Sequence, residues 1–134
     1  MEDAVRGMDV VISSIPKSGS PPVQESFWSE GSLAIPLDVT AAWGDACYSK
    51  ADVFVSDGFE AFSRSAGRQR PGMTLPKDPV DLSDVLLGRK KGRTSPKQRI
   101  MAVPTGVASV DMTLGWEIYR RAKAENLGTV LPLT

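Results

Sequence analysis

Apolar positions along the chain fall into short β-branched runs separated by longer stretches with helical spacing. Val10-Val11-Ile12 is a continuous apolar run of the type that fills a strand buried on both faces of a parallel sheet. Leu33 to Leu37 is a second run; Pro36 inside it predicts a strand edge or strand end. A third lies at 51–57 and is broken by Gly58, and a fourth, 99–103, precedes Pro104. Helical turns are expected at 1–8, turning at Gly7, and at 24–28. A helix over 41–48 is expected behind a cap at Asp38 or Thr40, with further helices over 59–66 and 81–87. The longest helix is expected over 107–126. Val107, Val110, Leu114 and Ile118 form one stripe, and Met112, Trp116 and Tyr119 an adjacent one. Two stripes predict a helix covered over a wide face, by its own sheet and by another chain. Residues 16–22 and 67–80, rich in Pro and Gly, are expected as loops, the second long enough to cover a site. Strands alternating with helices predict an α/β fold with a parallel sheet.

At 134 residues the chain is long enough for one domain, with 41% hydrophobic and 24% charged residues. Lys+Arg and Asp+Glu number 16 each, so global charge gives no reason to expect nucleic acid or an anionic membrane as partner. No apolar run approaches the ~20 residues that span a bilayer. The polar start Met1-Glu2-Asp3 is unlike a secretory signal, and the one cysteine, Cys47, allows no internal disulfide. A cytoplasmic location is expected.

The chain contains no histidine. A Ser-His-Asp or Cys-His nucleophile cannot be assembled from it, and neither a His-rich zinc site nor a thiolate cage is expected. Proton transfer would fall to Asp, Glu, Lys, Tyr or Cys. Asp38 stands out, because it follows an apolar strand where α/β folds present side chains to ligands. Ser13 and Ser14 end the first strand; they serve either as turn residues or as ligand contacts at the mouth of the sheet. Thr105 and Gly106 open the long helix, where free N–H groups attract anions, or where they act only as a cap and a close-packing residue. Asp111, one turn in, suits the helix dipole and is a candidate buried polar group. Cys47 reads as a small core residue. The basic turn Gly88-Arg89-Lys90-Lys91-Gly92-Arg93-Thr94 lacks the spacing and the preceding strand of a phosphate loop. It also lacks aromatic residues for stacking bases, and is read as solvated.

Taken in order, several segments resemble the carboxyl-terminal portion of the ornithine cyclodeaminase/μ-crystallin family, in a divergent subgroup. Asp9 to Ser14 is similar to a later Rossmann strand of that family, and Gly31 to Asp38 to the strand ending on its catalytic aspartate. Leu82 to Arg89 with Gly92-Arg93-Thr94-Ser95-Pro96, Gly106 to Met112, and Leu127-Gly128-Thr129 are similar to its later segments. The resemblance implies a partial Rossmann-like parallel sheet, its second half, over 1–104. A C-terminal helix at 105–134 would return to an oligomerisation or substrate domain. It implies an NAD- or NADP-dependent reaction on an amino acid or cyclic imine: hydride transfer, deamination or imine reduction. Asp38 would transfer a proton at the imine carbon. Ser13, Ser14 and Ile15 would line the cofactor cleft, and Val103, Thr105 and Gly106 would approach the nicotinamide.

The chain departs from that pattern in having no G-x-G-x-x-G, no acidic ribose partner and no Gly-Lys turn after Asp38. It is therefore expected to be incomplete alone, and to work as a homo-oligomer or with a complementing N-terminal half. The alternative expectation is a non-catalytic oligomerisation or binding remnant of the fold.

Overall fold

The computed structural model describes residues 1–17 and 19–132. Five strands form one sheet: β1 (Val10–Ser13), β2 (Leu33–Pro36), β3 (Val53–Ser56), β4 (Val80–Asp81) and β5 (Ile100–Val103). All neighbours are parallel, in the order β1-β2-β5-β3-β4. The last strand inserts between the second and third, and every strand ends at the same edge. Four α-helices connect or follow the strands: α1 (Asp45–Ser49), α2 (Phe59–Gln69), α3 (Leu82–Leu86) and α4 (Ala108–Ala124). The expected class, an α/β partial Rossmann-like sheet with a long C-terminal helix, is what forms. The expected loop at 16–22 includes Ser18, and the expected C-terminal segment includes residues 133 and 134; these three lie outside the described residues.

One face of the sheet is covered more completely than the other. Register places Val11, Ala34, Met101 and Phe54 in one cross-strand row, and Pro36, Val103 and Ser56 share their face. Ala34, Met101, Val103 and Phe54 are at most 2% exposed, packed with Trp28, Trp43, Tyr48 and Phe62 in the core. The aromatics interlock: Trp28 meets Trp43 edge-on at 5.6 Å, and Phe62 lies against Tyr48 at 5.8 Å and Phe54 at 5.1 Å. Their area makes this cluster the main apolar contribution on that side.

The opposite face carries Val10, Ile12, Leu33, Ile35, Val53, Val55, Ile100 and Ala102; Val55 and Ile100 are buried and the other central positions half-buried, whereas Val10 and Ile12 on β1 are exposed. Here the structure corrects the expectation for β1. Val10 is 52% and Ile12 63% exposed, so the strand is not buried on both faces. It is an edge strand with one face open. A β-branched run records what a strand is suited to pack against, and not whether the chain supplies it.

Other expectations shift for local reasons. Residues 2–4 form one 3₁₀ turn instead of the end of an α-helix. The helix expected from residue 41 starts at Asp45 behind Gly44, because the Asp38 carboxylate caps a turn at Ala42 and not a helix. Pro36 is the last residue of β2, the strand end foreseen from its missing N–H. Gly67 does not stop α2, which runs on to Gln69. Asp81 closes a two-residue strand and caps α3 by accepting from the Ser83 N–H at 2.8 Å. Helix α4 has no buried residue. Neither its own sheet nor any other described element covers it, contrary to the expected cover by its own sheet, and Asp111 is exposed and not a buried polar group.

Candidate functional site

Parallel alignment brings the carboxyl ends of β1, β2, β5 and β3 into one row, and the residues just beyond them form the candidate site. These are Ser14 and Ile15 after β1, Asp38 after β2, Thr105 and Gly106 after β5, and Asp57 after β3.

Asp38 is half-buried and held from two sides. Its Oδ2 accepts from the Ile15 N–H at 3.2 Å and its Oδ1 from the Ala42 N–H at 3.3 Å. The first bond ties the ends of β1 and β2 together; the second fixes the turn behind the carboxylate. The next residue, Val39, adopts φ +61°, a left-handed conformation that crowds a β-branched side chain. Such conformations persist where surrounding structure over-determines them.

That structure is visible here. The Tyr48 hydroxyl donates to the Val39 carbonyl at 2.6 Å. The Thr40 hydroxyl meets the Gln69 side-chain carbonyl at 2.8 Å. Arg70 donates from Nη1 to the carbonyls of Thr40, at 3.2 Å, and Trp43, at 2.7 Å; its Nη2 lies 2.6 Å from Asp45 Oδ1. Burial first, and the nearby Asp38 charge second, push the Tyr48 phenol well above its ordinary range, so it stays a neutral donor. Burial likewise pushes the Cys47 thiol up to about 11, which suits a core residue and not a nucleophile.

Ser13 uses its hydroxyl to accept from Trp43 Nε1 at 3.0 Å, anchoring the same turn, whereas Ser14 is exposed. Val103 is buried in the core, so only its backbone faces the edge of the sheet. Thr105 and Gly106 are gripped by a residue that sequence reasoning passed over. Asp57 accepts from the Thr105 N–H at 2.7 Å, from the Thr105 hydroxyl at 2.6 Å and from the Gly106 N–H at 3.1 Å. Its signal was available: Asp57 ends an apolar strand as Asp38 does. The amides singled out as anion-attracting are thus already bonded to a carboxylate of the chain.

Beside this turn, on the less covered face, lies an apolar recess of about 220 Å³ lined by Ile35, Val55, Leu82, Ala102 and Pro104. That is below the ~300–1,000 Å³ of ordinary small-molecule pockets. It fits one ring or one apolar side chain and not a whole nicotinamide dinucleotide. Among the described residues no group of three or more acidic, Cys or His side chains could hold a metal ion, and no helix is long and apolar enough to cross a membrane.

No family model matches the chain. Nodulation efficiency protein NfeD of Rhizobium meliloti is 28% identical over 131 residues, which is 97% of this chain and 41% of that protein. A probable ornithine cyclodeaminase from Bordetella pertussis Tohama I superposes with TM-score 0.77 at 23% identity, covering 96% of this chain and 44% of that one. The Δ1-pyrroline-2-carboxylate reductase of Thermococcus litoralis, solved in complex with NADH and L-proline, superposes with TM-score 0.76 at 17% identity, covering 97% and 42%. The chain therefore has the fold of part of an ornithine cyclodeaminase-type protein, as its ordered segments implied, and spans less than half the length of each of these three proteins.

Proposed function

We propose that this chain is the portion of a cytoplasmic NAD- or NADP-dependent, ornithine cyclodeaminase-like enzyme that carries the proton-transferring carboxylate, Asp38. The substrate is an amino acid or cyclic imine, undergoing hydride transfer with deamination or imine reduction. One observation carries the reading: a half-exposed carboxylate at the carboxyl edge of a parallel sheet, fixed by two backbone N–H groups ahead of a strained Val39. A general acid–base group needs this kind of fixed position with one side open. The structural likeness to a reductase solved with NADH and L-proline supports the cofactor and substrate class.

The nicotinamide cofactor would supply the hydride acceptor or donor. The residues of this chain would do the rest of what falls to it. Asp38 would take or give a proton on the substrate side. The Ile15 and Ala42 amides would hold that carboxylate in place. Ser13, Ser14, Ile15 and the backbone from Val103 to Gly106 would wall the cleft. The small recess and the bonded turn amides supply no phosphate cradle, so the chain alone is not expected to bind the dinucleotide or to turn over. A non-catalytic binding role for the isolated chain is favoured by one observation, the uncovered α4.

The test is to supply the chain with the unmatched part of the Rhizobium meliloti relative and follow nicotinamide absorbance against a panel of amino acids and cyclic imines. Asp38→Asn is expected to lower the rate by about 10²–10⁴-fold, the usual scale of general acid–base catalysis. An unchanged rate would remove Asp38 from the mechanism.

A further inference from the structure

The donors of the turn after β5, residues 104–106, are all spent on one side chain. Pro104 has no N–H. The Thr105 N–H, the Thr105 hydroxyl and the Gly106 N–H all reach Asp57, at 2.7, 2.6 and 3.1 Å. Gly106, at φ +81°, lets the two successive amides converge on one carboxylate. On the β3 side, the Gly58 N–H is taken by Ser56 Oγ at 3.1 Å.

An ionised carboxylate only accepts, so the Thr105 hydroxyl hydrogen lies towards Asp57. Its 2.6 Å separation is that of a charge-assisted O–H···O⁻ bond. What this turn can still offer a ligand is acceptors: a lone pair on Thr105 Oγ1, and the Pro104 and Thr105 carbonyls, which accept from no described backbone N–H. The apolar recess of about 220 Å³ adjoins the turn, with Asp57, Val103 and Pro104 among its lining residues. A ring in that recess has apolar walls and a rim of acceptors.

We propose that Asp57 is a positioning residue that sets the ligand specificity of this turn. By taking all three donor hydrogens it makes the rim acceptor-only. The rim then selects a ring carrying an N–H donor and rejects one carrying an acceptor or a carboxylate in its place. A ligand acceptor set against this rim loses its water and gains no donor in return. The inference rests on the reading of this edge as a cofactor and substrate cleft, and deepens it. Two groups share the selected chemistry: the carboxamide NH₂ of a nicotinamide ring, and the N–H of a cyclic ammonium or iminium. Without Asp57 the same turn would present three donors and favour anions, as free amides before a helix ordinarily do.

The test titrates the ¹⁵N-labelled 134-residue chain with single rings and follows the amide shifts of residues 102–106. Nicotinamide is compared with 3-acetylpyridine, in which a methyl replaces the NH₂, and with nicotinate. Pyrrolidinium is compared with tetrahydrofuran, in which an acceptor oxygen replaces the nitrogen. The N–H-bearing member of at least one pair is expected to bind about tenfold more tightly, with nicotinate the weakest of the pyridines. The pair that discriminates identifies the source of the N–H. Asp57→Asn puts a donor where an acceptor was and frees a hydrogen of the turn. It is expected to reduce the ratio within that pair to under about threefold. A role in packing alone would weaken both members together and leave the ratio unchanged. Thr105→Ser is expected to keep the ratio and Thr105→Val to lose it; if Asp57→Asn does not fold, the Thr105 pair decides. Equal binding within both pairs, no shift with any ring, or a ratio that survives these substitutions would overturn the proposal. Discrimination by the chain without nicotinamide chemistry in the completed enzyme would uphold the role of Asp57 and count only against the catalytic reading.

Discussion

At Val39 the chain accepts a conformation that a valine avoids, directly after the carboxylate it helps to position. Val39 also packs partly into the core, so truncation removes contact as well as strain. The two effects oppose each other. A half-buried Val→Gly change ordinarily loses the apolar burial and adds backbone freedom, about 2 kcal/mol together. Val39→Gly is expected to cost less than about 1 kcal/mol in denaturant unfolding, because relief of the left-handed valine returns about 1–2 kcal/mol. A cost above about 2 kcal/mol would show that the strain is absent. Cys47 carries a separate expectation. Its folded thiol is raised to about 11 from 9.0, so above pH 9 the unfolded chain releases a proton that the folded chain keeps. Stability from this group is complete below pH 9 and falls as pH rises towards 11, by up to about 2–3 kcal/mol. Cys47→Ala should flatten unfolding midpoints across that window, leaving the further alkaline loss from Tyr48 at higher pH.

Among the elements, α2 matters more for its end, Gln69 and the Arg70 that follows it, than for its length. Gln69 and Arg70 reach the turn after β2 and fasten it, Arg70 through two carbonyls and Asp45. Asp45 is half-exposed, so its ion pair adds little; the carbonyl bonds of a largely buried guanidinium carry the effect. Arg70→Ala is expected to cost about 2–3 kcal/mol by urea unfolding, and Arg70→Lys to recover less than half, since one ammonium cannot span both carbonyls. The start of β2 depends on a different constraint. Gly31 sits at φ +77°, donates to the Lys97 carbonyl at 2.9 Å, and a Cβ there would lie 2.5 Å from the Pro96 carbonyl oxygen. Gly31→Ala is expected to destabilise by about 2 kcal/mol or more, read as a lowered thermal midpoint, because neither the dihedral nor the backbone neighbour can yield cheaply. Neither dependence is written in the local pattern. Arg70 lies 30 residues from Thr40 and 27 from Trp43, and nothing in its own neighbourhood announces either partner.

For the molecule as a whole, apolar periodicity was enough to locate four of the five strands and the long helix, because strand and helix periods are properties of a few adjacent side chains. The same local reading placed Asp38 at a strand's carboxyl end, where it lies. It failed wherever the outcome depended on distant partners. The two-residue β4 exists only because β3 lies beside it. Asp57 became legible as the clamp on Thr105 and Gly106 only once β5 had inserted between β2 and β3. The exposure of Val10, Ile12 and α4 could not be read from residues that look made for burial. The sequence by itself determined which segments are strands or helices, which acid ends β2, and which chemistries the lack of histidine rules out. Only the tertiary structure decided strand order, which face of the sheet the chain covers more completely, and how the Asp38 turn is held. The physical reason is range: hydrophobic period and residue chemistry are local, whereas burial and hydrogen-bond partners arise from contacts between segments tens of residues apart.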